Sequence, residues 1–404
     1  MMNAQQLQQL YAAPPVAGRI QQRALIIGLV GAALCVAGAI FRPALFLQSY
    51  LFGYLFALGL ALGCTAILML QYLTGGDWGV VIRRSLEAAM RTLPYLAAGF
   101  LPIALGVRVL YAWARPAQAG AASLDYRAEY LNVPFFIARA VLYFAVWLVM
   151  GYLLDKWSRQ QDRAVDPRLM FKLRALGGPG LVVYAATMTF AAFDWVMSLN
   201  PEWYSTIFGL LVIGGQALSA MAFVILVAVL LSAQEPMVHV FQPRHFHDLG
   251  KLLLAFVMVW AYLSFSQLLV IWSGDLPQEI PFYLPRMQSS WRWIGVMLIV
   301  LHFALPFALL LSRDLKRRVG ALAAIAGLVL AMRLVDLFWL VAPEFRRRGL
   351  AIDWLDPVTV IGISGLWLAV FTWQLKARPL LPLRDPHLAD ALGPGEQYSV
   401  DRRE

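Results

Sequence analysis

The chain has 404 residues, 61% hydrophobic and only 14% charged, against about 25% charged in an ordinary soluble domain. Together with a mean hydropathy of +0.67, this excludes a soluble globular fold and indicates an all-α polytopic membrane protein with no soluble domain of its own. The net charge of +10 does not point to nucleic acid, because the basic residues sit between apolar runs, where they set membrane topology.

A polar segment, residues 1–22, opens the chain and contains Pro14-Pro15. The first apolar run shows no small-residue cleavage pattern, so a removable signal peptide is not expected. Apolar runs of roughly 20 residues, each enough to cross the hydrocarbon core, then recur along the sequence. Hydropathy predicts about ten spanning helices, near 22–41, 45–73, 87–107, 133–154, 180–199, 205–232, 250–272, 291–312, 319–341 and 357–376. They form a single transmembrane domain over 23–376, followed by a Pro-rich tail, 377–404, expected to drape on a partner or stay disordered. With the N-terminus inside, the inner segments carry more than twice as many Lys and Arg as the outer ones, which predicts cytoplasmic termini. Segment 155–179 reads as a solvated connection. The two cysteines, Cys35 and Cys64, lie inside apolar runs. They exclude a Cys-ligated iron–sulfur cluster, a C-x-x-C-H haem site and a disulfide framework, and read as packing residues.

A few polar residues inside these runs could carry chemistry. Asp194 lies near the end of the fifth run with no compensating charge close by in sequence, and a charge in lipid is a functional-site hypothesis by default. Arg139 in the fourth run is a candidate partner for an acid. Arg333 and Asp336 stand at i and i+3 on one helix face. Together these groups suggest one polar interior. The seventh run opens with His245, His247, Asp248 and Lys251 and ends near Ser266 and Gln267, while His302 sits mid-way along the eighth. Protonatable groups at an edge and at mid-depth are what a proton relay requires. Each also has a plainer reading: a solvated helix start for the His245–Lys251 group, a packing residue for His302, an ion pair of purely structural value for Arg333–Asp336. No metal site is expected, since His245 and His247 at i, i+2 point apart on a helix. The Trp and Tyr residues read first as interfacial belts.

Four ordered blocks carry a resemblance. They are Phe193-Asp-Trp-Val-Met-Ser-Leu-x-Pro-x-Trp-Tyr-Ser-Thr-x-Phe-Gly209, His245-x-His-Asp-Leu-Gly-Lys251, Tyr262-x-x-Phe-Ser-Gln-x-Leu-x-Ile-Trp-Ser-Gly274, and Trp291-Arg-Trp followed by His302-Phe-x-x-Pro-Phe and Leu311-Ser-Arg313. The chain resembles the second large membrane subunit of bacterial alternative complex III, an NrfD-like (polysulfide-reductase-like) protein. The blocks span about 180–315.

That resemblance implies two four-helix bundles, about 45–199 and 205–341, flanked by the first and last helices. It also implies a subunit of a quinol:cytochrome c oxidoreductase in the bacterial inner (cytoplasmic) membrane, without a redox centre of its own. Its partners would be an iron–sulfur protein, a multihaem c-type cytochrome and a paralogous NrfD-like subunit, with menaquinone or ubiquinone as a candidate ligand and no covalent cofactor. Asp194 would be the interior acid of a proton path, His245, His247, Asp248 and Lys251 its cytoplasmic entrance, Ser266 and Gln267 its polar far end, with His302 on the eighth helix between. On this reading Asp194→Asn leaves assembly intact and lowers coupled proton movement. The alternatives are a true quinol-oxidising subunit of the same complex and, from a different class, a proton-coupled secondary transporter. Against the transporter, no pair of discontinuous helices stands in matching halves of the sequence.

Overall fold

The computed structural model describes residues 10–115, 128–163, 166–388 and 392. Ten helices are long and apolar enough to cross a membrane: α1 (Pro15–Phe41), α2 (Pro43–Thr74), α3 (Asp77–Leu105), α4 (Val133–Arg163), α5 (Pro167–Leu199), α6 (Phe208–Ser232), α7 (Pro243–Gly274), α8 (Trp291–Leu311), α9 (Val319–Phe345) and α10 (Leu355–Lys376). No strand occurs among the described residues. Among the described residues the protein is a multi-pass, all-helical membrane protein, and an even number of spans puts the start of α1 and the end of α10, which lead to the termini, on one face.

α1, α3, α4, α5 and α7 begin or end well beyond the apolar runs, always at the face that carries the chain termini. Hydropathy reports only the stretch inside hydrocarbon, whereas a helix continues wherever its ends are capped and its charges are paired. The α5 start is fixed by Pro167 at the first helical position and by Asp166, whose side chain accepts from the Arg168 N–H at 2.9 Å. α4 extends past its apolar part carrying an Asp155–Arg159 pair at 2.7 Å. α3 is broken into Asp77–Met90, Leu93–Gly99 and Leu101–Leu105, the breaks falling just ahead of Pro94 and Pro102, where the ring removes a donor.

The helices pack as two sets of four. α2, α3, α4 and α5 contact one another in one set, and α6, α7, α8 and α9 in the other. α2 and α6 join the sets, with α5 against α6 and α9 against α2. α1 pairs with α10, and this flanking pair lies on α2. α2 is consequently 94% buried over its most apolar window, while α7 and α8 are 22% buried. A helix apolar all round belongs in the middle of such a body. At the α1–α10 crossing the backbones nearly touch: a Cβ on Gly31 would fall 2.5 Å from the Cα of Gly362. Small residues permit such approach, and in lipid close packing replaces the missing hydrophobic drive.

The tail does not follow the sequence expectation over its described part. Residues 377–388 fold back across the face bearing the termini, with Leu380 and Leu381 buried. The Leu380 N–H donates to the Tyr11 carbonyl at 2.8 Å, Asp385 pairs with Arg83, and Arg378 reaches Glu87 and Asp155. Apolar side chains and a closed set of ion pairs hold it to its own chain. The remainder of the tail (389–391 and 393–404), residues 1–9 of the N-terminal segment, and 116–127 of the long loop before α4 lie outside the described residues.

Gly31→Ala is expected to push α1 off α10 and cost roughly 1–3 kcal/mol by overpacking. Gly320→Ala, where nothing lies within 4 Å, should be neutral or slightly stabilising. Melting temperatures of the two variants in the same detergent check this.

Candidate functional site

In the first set, α4 and α5 close around Asp194, which is fully buried. Arg139 grips its carboxylate with two parallel hydrogen bonds, Nε to Oδ2 and Nη2 to Oδ1, each 2.8 Å. The Tyr143 hydroxyl donates to the same Oδ2 at 2.7 Å. The third guanidinium nitrogen donates to the Tyr130 carbonyl at 2.9 Å, and the rings of Tyr130 and Phe135 stand over Arg139 at 3.8 and 4.3 Å. Arg139, named from the sequence as a candidate partner for an acid, is thus the charge that compensates Asp194, whose own sequence neighbourhood supplies no basic residue. The partner lies 55 residues away on the neighbouring helix. The expected effect of Asp194→Asn reverses with it: neutralising the acid strands a buried arginine, so assembly should suffer.

The second set holds Arg333 and Asp336, both buried on α9. The guanidinium bonds the carboxylate directly, and the Trp260 indole N–H of α7 donates to Asp336 Oδ2 at 3.0 Å. Arg333 fits because α6 offers no side chain there: a Cβ on Gly215 would stand 2.2 Å from the Arg333 Cζ. His302 is fully buried, its ring packed edge-on against Trp260 at 4.3 Å between centroids. Neither of its ring nitrogens has a hydrogen-bond partner among the described residues. The residues Leu298–Ala304 around it form a π-helical stretch. Pro306 explains the local widening, since it lacks the N–H that the His302 carbonyl four residues earlier would accept, and its ring crowds that carbonyl. Counting from the helix ends opposite the termini, Asp194 lies roughly 8 Å and Asp336 roughly 14 Å deep at 1.5 Å per residue.

The remaining expected residues are not gathered here. His245 is a buried capping residue, not a solvated mouth. Its Nδ1 accepts from the Gln242 N–H at 3.1 Å in a reciprocal capping box that starts α7. Asp248 and Lys251 pair at 2.9 Å in an exposed position, and His247 is half-buried beside them. At the other end of α7, Gln267 is buried between Ser205, which donates to it at 3.3 Å, and the Tyr283 hydroxyl at 3.4 Å. Ser266 is half-buried. The candidates thus fall into separate places: Arg139–Asp194 in one set, Arg333–Asp336–His302 in the other, and the two ends of α7.

Two charged clusters escaped the sequence reading. At the face bearing the termini, Glu87 is completely buried and accepts from Arg84 at 2.7 Å and from Ser158 at 2.7 Å. Asp162 joins through Arg84, and Asp155 through Arg378. The Arg84–Glu87 spacing of i, i+3 was the available signal, hidden because Arg84 lies outside the predicted run 87–107 and Glu87 at its very edge. At the opposite face, Arg286 is buried and donates to the Phe282 and Leu340 carbonyls at 2.6 and 2.9 Å and to Glu344 at 3.0 Å. Burial pulls its pKa down, and Glu344 opposes that. Burial likewise pushes the neighbouring Tyr283 hydroxyl up to about 12. With Phe282 stacked on Trp203 at 4.2 Å, this anchors the loop before α8 over the end of the second set. No group of three His, Cys, Asp or Glu residues that could hold a metal ion occurs among the described residues.

Removing one member of a buried pair costs about 3–5 kcal/mol, while replacing both is often far milder. Arg333→Met alone is expected to lower yield and melting temperature more than Arg333→Met combined with Asp336→Leu. Equal damage from the two would mean that the residues do not act as a pair.

No protein-family model matches the chain, and no curated protein matches it.

Proposed function

We propose that the chain is an integral subunit of a quinol-oxidising respiratory complex, of the second NrfD-like type in alternative complex III. On this reading it sits in a bacterial cytoplasmic membrane with both termini in the cytoplasm. It works beside an iron–sulfur protein, a multihaem c-type cytochrome and a paralogous NrfD-like subunit, with menaquinol or ubiquinol as the substrate of the assembly. Its own share is to support the complex and to carry protons through its interior, without holding a redox centre.

The observation that carries the reading is the pair of buried charged clusters, one inside each four-helix set, in a body otherwise apolar enough to need none. Stability alone does not favour such pairs over well-packed apolar residues, and ionisable groups inside membrane spans mark ion and proton pathways. His302 supports the proton role. It is titratable, buried, and adjacent to Trp260, which already bonds Asp336.

The test begins with a tagged pull-down in mild detergent, read by haem spectrum and mass-spectrometric partner identification. Co-purification of a multihaem cytochrome with an iron–sulfur subunit is expected. A colourless, partnerless protein from intact membranes would replace the respiratory reading with that of a stand-alone transporter. In the reconstituted complex, His302→Phe is expected to leave assembly intact and lower the protons moved per electron. An unchanged ratio would remove His302 from any path.

A further inference from the structure

Between the two four-helix sets lies a small cavity walled by α2, α5, α6 and α9, where about 10 Å³ is open to the centre of a water molecule. That is the size that admits roughly one water, and a cavity of this size is wet only if polar groups line it. Three do: Gln216, Ser219 and Arg333, and each is more than nine-tenths buried.

Their remaining hydrogen-bonding capacity can be counted. The Gln216 carboxamide oxygen accepts from the Tyr184 hydroxyl at 2.5 Å, and one of its N–H groups is directed at the Met188 sulfur at 3.3 Å. The second N–H remains to donate. Ser219 gives its hydroxyl proton to the Gly215 carbonyl at 2.7 Å, which leaves its oxygen lone pairs to accept. Arg333 commits Nη1 to Asp336 and has further N–H groups beyond it. The sum is two kinds of donor and one acceptor around a space for one molecule. Gly215 sets this geometry, because any side chain there would drive the guanidinium away.

We infer that this cavity is a binding site for one ordered water, which accepts from Arg333 and Gln216 and donates to Ser219, and that this water joins the polar interiors of the two four-helix sets. The connected line runs from Tyr184 on α5 through Gln216 on α6, the water, and Arg333 and Asp336 on α9, to Trp260 on α7 and His302 on α8. A water with these three neighbours takes up hydrogen-bonding capacity that the protein's own contacts leave unused, which is the usual reason internal waters persist. The binding site stands on the cavity and its lining alone. The further role, as the place where a proton crosses between the sets, rests on the respiratory reading above.

X-ray radiolysis tests the site, because hydroxyl radicals form where water sits and oxidise the nearest susceptible side chain. Met188 lines the cavity and is 1% exposed. Met69 and Met221 are as deeply buried, at 0% and 1%, and do not line it. In the full-length protein in lipid nanodiscs, Met188 is expected to oxidise well above Met69 and Met221, and Gln216→Leu to bring it down to their level. Ser219→Val, which fills the cavity, should do the same if Gln216→Leu folds poorly. Wild-type Met188 oxidising no faster than Met69 and Met221 would overturn the proposal. The labelling needs neither quinol nor partner subunits, so its failure would leave the respiratory reading untouched, and failed co-purification would leave the water site untouched.

Discussion

A charge held in hydrocarbon is the costliest thing this chain contains, about 2.5–3.5 kcal/mol for an aspartate, lysine or arginine at a helix centre even on lenient scales. The fold answers that cost by pairing. Arg139 clamps Asp194 in two parallel bonds with Tyr143 filling another acceptor position. Arg333 and Asp336 neutralise each other with Trp260 in support. Those contacts tie α4 to α5, and α7 to α9, so the charges also fix which helices are neighbours. A lone apolar contact would not specify this in lipid, where tails are as apolar as leucine.

Pairing also organises the two ends. The face bearing the termini is held by a network in which Glu87 is central, and the C-terminal strap contributes Arg378 and Asp385 to it. The opposite face is closed by the loop before α8, pinned through Arg286 to the end of α9. Between the two ends the interior is largely apolar and rich in aromatic side chains. Most of its polar groups have a partner that can be named; among the described residues both ring nitrogens of His302, the Trp195 indole nitrogen and the Ser364 hydroxyl are exceptions.

The spans were legible in the sequence because length and apolarity decide them. Arg333–Asp336 was legible because both residues stand on one helix at a spacing that fixes their proximity. Arg139 could be named as a candidate partner, but its bidentate grip on Asp194 depends on how α4 meets α5, which no local pattern encodes. His245 misled for a different reason: a capping histidine and a solvated entrance histidine look alike in sequence, and only the Gln242 N–H separates them. Glu87 was missed because it stands at the edge of its apolar run and its partner Arg84 sits in the helical extension before it, which hydropathy does not score. The strap 377–388 read as a tail because its anchoring residues are few and their partners lie some 220 to 300 positions away.

The central claim is that the membrane interior of this protein is organised by closed ion pairs, and a double-mutant cycle on Arg139 and Asp194 addresses it most directly. Melting temperatures of Arg139→Gln, Asp194→Asn and the double variant would be compared in one lipid nanodisc. The account predicts two damaging single changes and a double variant more stable than either, because only the singles strand a buried charge. Losses that simply add would contradict it.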